Sequence, residues 1–158
     1  MDTLAIFALA LGIGVIAGLR SMTAPAAVAW AAHLKWLDLH GTRLSFLGST
    51  VTVAIVTLLA IGEIIADKLP TTPSRTSAFP LIGRILTGGL CGAAICAAGN
   101  ATIAMGAAVG AVGGVIGAYA GYFVRHWLVQ SAILPDRVVA VAEDLIAIGG
   151  GLLIVSRF

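Results

Sequence analysis

Residues 101–123 read ATIAMGAAVGAVGGVIGAYAGYF, an apolar run without a charged side chain. A helix needs about 20 apolar residues to cross a bilayer, and this run supplies them. Within it Gly106, Gly110 and Gly114 recur every four residues, and Gly113, Gly117 and Gly121 repeat that spacing on a second face. In lipid no hydrophobic force draws helices together, and small residues four apart let their backbones approach closely. Two such rows predict a central helix with two close neighbours. Packing inside the chain and a homo-oligomeric interface both suit the rows.

Working outward, further apolar runs cover 4–19, 49–69, 80–98 and 136–156. The 158 residues are 59% hydrophobic and 10% charged, with nine basic and seven acidic side chains, and the mean hydropathy is +1.07. Soluble domains carry about 25% charged residues, so a soluble fold and a disordered chain are both excluded. Continuous apolar runs also differ from the period-two alternation of a membrane barrel. The sequence therefore predicts an all-α integral membrane protein, one domain over 1–158, with about five transmembrane helices. Met1-Asp2-Thr3 lacks the basic start of a cleavable signal, so the first run is read as a retained span. A net charge of +2 gives no reason to expect a nucleic-acid partner.

The first run ends at Arg20-Ser21-Met22-Thr23-Ala24-Pro25. Proline disfavours helix at the residue before it and lacks a donor, which predicts a break near Thr23–Pro25. Residues 26–37 are helical in pattern but too short to span. Their Trp30, His33, Lys35 and Trp36 suit a membrane interface. A re-entrant half-helix, an interfacial helix and the end of a kinked first span are all consistent with them. Gly99-Asn100 marks a tight turn, and Arg125-His126-Trp127 marks the expected exit of the fourth span.

Five crossings place the termini on opposite sides. The N-terminal side then receives Lys68, Arg75, Arg84, Arg125 and Arg137, and the other receives Arg20, Lys35, Arg43 and Arg157. Five bases against four favour a cytoplasmic N-terminus. Gly14–Gly18 resembles Gly114–Ala118, and Ala60–Glu63 resembles Ala140–Glu143. An inverted repeat would produce such pairs, although low-complexity glycine content explains them more simply.

Four carboxylates stand out. Glu63 lies six residues before Leu69, about 9 Å inside its span at 1.5 Å per residue. Asp67 shares its face, and Glu143 with Asp144 lies at similar depth in the last span. A charge at the bilayer centre costs about 2.5–3.5 kcal/mol. These acids are expected to turn toward protein, with the second and fifth spans as neighbours and Glu63 near Glu143. Two readings stay open: structural pins paired with nearby bases, or a cation or proton site. Arg20, Ser21 and Thr23, beside the amides of a new helix start, suit an anion or a lipid phosphate; an arginine reaching to headgroups explains them equally.

His33, His40 and His126 lack metal-ligand spacing, and Cys91 and Cys96, five apart, read as packing residues. No nucleophile constellation is visible. The expectation is therefore no enzyme, no metal and no cofactor.

The strings Gly18-Leu19-Arg20-Ser21, Gly62-Glu63-Ile64-Ile65-Ala66-Asp67-Lys68-Leu69-Pro70 and Ala142-Glu143-Asp144 resemble a family of small bacterial multi-pass membrane proteins sharing a domain of unknown function. The resemblance covers nearly the whole chain and brings no settled activity. It implies a bacterial inner-membrane location with membrane lipids as partners. Two functions are expected: a small transporter or channel using the carboxylates, or a non-transporting protein that binds lipid or assists assembly of a partner.

Overall fold

The computed structural model describes residues 1–66, 77–131 and 135–158. Those residues form six α-helices and no strand: α1 (Thr3–Leu19), α2 (Thr23–His33), α3 (Thr50–Ala66), α4 (Ala78–Ala98), α5 (Ile103–Gln130) and α6 (Asp136–Val155), with a 3-10 turn at Ser45–Gly48. Helices α4, α5 and Val138–Val155 of α6 are long and apolar enough to span a membrane, and α1 and α3 are shorter apolar helices. The chain is an all-α membrane protein with a short additional helix after its first.

Helix α5 lies between α4 and α1. It runs antiparallel to α4, where Gly106 meets Gly92 and Gly110 meets Gly88. It runs parallel to α1, where Gly113 meets Leu11 and Gly14, and Gly117 meets Val15 and Gly18. A Cβ on Gly110 would strike the Gly88 carbonyl oxygen, and one on Gly117 would strike that of Val15. Only glycine permits this backbone contact. Because α1 and α5 are parallel, an inverted repeat cannot relate Gly14–Gly18 to Gly114–Ala118.

Helix α6 runs antiparallel to α1. Arg20 pairs with Asp144, Gly150 faces Ile16, and Gly12 faces Ile154. The start of α1 and the end of α6 thus share one end of the bundle. This corrects the five-crossing parity, which separated the termini. The reason lies in α2. After the break it turns back along α6, bringing Ala27 against Gly151. Helix α3 then runs antiparallel to α2, with Trp30 bonded to Thr57 and Met22 to Glu63. One short return changes the parity of every later helix. Arg20, Arg84 and Arg125 consequently gather at the end opposite the termini, whereas Lys35, Arg43 and Arg157 stand at the terminal end.

Two boundaries also differ from expectation. The break falls at Arg20–Met22, and Pro25 sits in the first turn of α2. Proline is tolerated there because first-turn amides need no intrahelical acceptor. Helix α5 continues through Arg125, His126 and Trp127 to Gln130. Arginine is a good helix former and does not end a helix, and the Arg125 side chain reaches acids on α6.

Candidate functional site at the helix break

The chain must leave helical geometry between α1 and α2, and Arg20 is extended there (φ −139, ψ 110). That exposes amide donors at the start of α2 which no helix carbonyl can satisfy. Glu63 on α3 takes them. The Ser21 N–H and hydroxyl both donate to its Oε1 at 2.8 Å, and the Met22 N–H donates to its Oε2 at 2.8 Å. Arg84 Nη2 stands 3.9 Å from the same carboxylate. Its Nε donates to the Gly18 carbonyl at 2.9 Å, and its Nη1 to the Pro80 carbonyl at 3.4 Å. Arg84 therefore caps the end of α1 while facing the acid that caps the start of α2. Charge-assisted bonds of this type are the stronger class of hydrogen bond.

On the other side of the break Arg20 Nη2 meets Asp144 Oδ1 of α6. It is a charge contact without the angular alignment of a hydrogen bond. Arg125 of α5 binds Asp136 through two bonds of 2.8 and 2.9 Å, and its Nη1 lies 3.7 Å from Glu143 Oε2. Relative exposure is 0% for Arg20, 4% for Arg84, 8% for Glu143 and 9% for Asp144. The break is thus the centre of a buried charged layer. One residue of it, Arg20, reaches α6, and the next two bind α3.

The arrangement joins groups that the sequence kept apart. Arg20 and Ser21 belong to the same assembly as Glu63 and Asp144. Thr23 is buried at the start of α2. Glu63 and Glu143, expected to share one pocket, instead have different partners: Glu63 faces Arg84 and the break, and Glu143 faces Arg125. Helix α3 packs on α2 and the 3-10 turn, whereas α6 packs on α1, α2 and α5. Asp67 lies outside the described residues. Gly106, Gly110 and Gly114 face α4, Gly113 and Gly117 face α1, and Gly121 is buried. The α4 side of the seam, Gly88 and Gly92, escaped the sequence reading although its spacing of four was visible. Among the described residues no group of three potential metal ligands occurs.

Fold and site together define a helical membrane protein with a buried arginine–carboxylate layer at a broken helix. The chain belongs to the family described as Domain of unknown function (DUF4126), whose model matches residues 7–156. No curated protein and no solved structure matches it.

Proposed function

We propose that the chain is a small membrane transporter whose buried carboxylates exchange protons. The supporting observation is the position of Glu63, whose carboxylate holds the start of α2 through two backbone amides and a hydroxyl. A proton on that carboxylate removes the charge that strengthens those bonds. It also leaves Arg84 facing a neutral group. Proton binding is thereby tied to the geometry of the α1–α2 joint, and broken helices of this sort form binding sites in many transporters. Ionisable groups at membrane depth are costly, which favours a functional role for them.

The test uses purified protein in liposomes containing a pH-sensitive dye. Imposed gradients of protons, alkali cations and small anions are applied in turn. Proton movement above that of protein-free liposomes, dependent on one co-solute, is the expected result. No movement under any gradient contradicts the proposal. The second reading, that these groups are structural pins, has one specific observation in its favour: Glu63, Glu143 and Asp144 each face an arginine.

A further inference from the structure

The opposite end of the bundle carries a cavity of about 290 Å³ lined by Ala32, His33, Lys35, Leu39, His40, Ser45, Gly48 and Ser49. It lies where α2 ends and α3 begins, away from the charged layer and independent of the proton-exchange reading. Its lining holds one lysine, two histidines and two serines, and no carboxylate. The nearby Asp38 carboxylate is engaged by the His40 N–H at 3.0 Å.

Lys35 occupies an unusual backbone position. The Trp36 N–H donates to the Ala31 carbonyl at 2.8 Å and the Lys35 N–H to that of Ala32 at 3.2 Å. This closes α2 with a left-handed residue, a place usually taken by glycine. Lys35 adopts φ +63 there. The other such helix end, after α4, uses Asn100 at φ +56, a residue type that tolerates this conformation. A lysine in a glycine position gives up backbone comfort and places a cation at the cavity. Near the end of α2 the Ala31 and Ala32 carbonyls are taken by the amides of Lys35, Trp36 and Leu37.

The remaining groups are polar, although the Ser49 hydroxyl already donates to Thr52 Oγ1 at 2.9 Å and the neutral His33 ring keeps an accepting Nε2. His33 Nδ1 lies 3.0 Å from the Gly48 carbonyl; a carbonyl only accepts, so the proton is on Nδ1 and the ring is fixed with Nε2 left over. Helix α3 starts at Thr50 beside the cavity, with the positive end of its dipole toward it. Trp30, Leu34 and Trp36 are exposed nearby, and exposed tryptophans mark headgroup depth.

We propose that this cavity holds the phosphate of an anionic phospholipid, with Lys35 as its cationic contact and His40 and Ser45 as hydrogen-bonding groups around the headgroup. Lipid is favoured over a soluble phosphate ester because apolar aromatic surface adjoins the polar wall, matching acyl chain beside headgroup.

Native mass spectrometry of the detergent-purified chain tests this with phosphatidylglycerol, phosphatidylcholine and soluble glycerol phosphate as separate probes. The wild type should retain phosphatidylglycerol in preference to the other two. Lys35→Gly removes the cation and suits the left-handed backbone, so it should keep or raise thermal stability in detergent. Its phosphatidylglycerol retention should fall about tenfold, the loss of one charge-assisted contact. His40→Ala should weaken retention less. Equal retention by wild type and Lys35→Gly overturns the site, and so does equal retention of phosphatidylcholine. Equal binding of glycerol phosphate overturns the lipid as occupant.

Discussion

Helices α1, α4 and α5 are held by backbone touching backbone, whereas α3 is joined to α2 by few buried side chains and a few polar contacts. In the trio, glycine faces glycine and the fit has no slack. In the α2–α3 arm, helix α2 is itself mostly buried in the core, whereas on α3 only Val53 and Ala60 are buried. Its fastening comes from Glu63 at one end and the Trp30 indole N–H donating to Thr57 Oγ1 at 3.0 Å further along. Lipid supplies no hydrophobic drive for either. The trio therefore gains its stability from dispersion across many atoms, and α3 depends more on a small number of hydrogen bonds. The first arrangement has no room for a side chain, and the second hangs on the Glu63 carboxylate.

Replacing Gly110 by Leu should break the trio outright. The new side chain meets the Gly88 carbonyl and Gly92 on α4, and the cost should exceed the roughly 1–3 kcal/mol of ordinary overpacking. Size-exclusion profile and thermal stability in detergent read the result. Gly149→Leu is the control, because nothing lies within 4 Å of a Cβ there, and it should leave both unchanged. Equal behaviour of the two variants would erase the distinction between seam and lipid face.

Asp144→Ala should come next. It takes from the fully buried Arg20 the carboxylate on α6, and breaking a buried pair from one side typically costs about 3–5 kcal/mol. Thermal unfolding in detergent measures it, and a neutral outcome would mean that the Arg20–Asp144 contact does not hold the break. Thr57→Val should have the smallest effect, about 0.5–1.5 kcal/mol for one exposed hydrogen bond. It should act on the arm only, detectable as faster hydrogen exchange in α3 with α5 unchanged.

Much of the trio was legible in the sequence. Glycine spacing names the face of a helix that meets protein, and α5 shows two such faces without any structural knowledge. The arm was less legible, for a physical reason. A run of 11 helical residues after a break reads the same whether the helix continues onward, lies along the interface or turns back. Its direction is decided by contacts far along the chain, such as Ala27 with Gly151. The partners of the acids were hidden in the same way. Spacing places Glu63 and Glu143 at similar depth, but depth does not say which arginine stands opposite each. Arg125 also misled as an end marker, because a charged residue with good helix propensity does not stop a helix and α5 runs on to Gln130. The reversed parity has its own check. Reporters fused to the two termini should report the same compartment, and opposite compartments would restore the five-crossing arrangement.

The most direct measurement compares Glu63→Gln with wild type in a single preparation, reading proton flux in liposomes and thermal unfolding together. Glutamine keeps the shape and one accepting oxygen, enough for the Ser21 donors or the Met22 amide but not both, and it cannot release a proton. The account predicts abolished flux with the fold intact. Flux at the wild-type rate would contradict it, as would a large loss of stability in a protein whose wild type moves no protons.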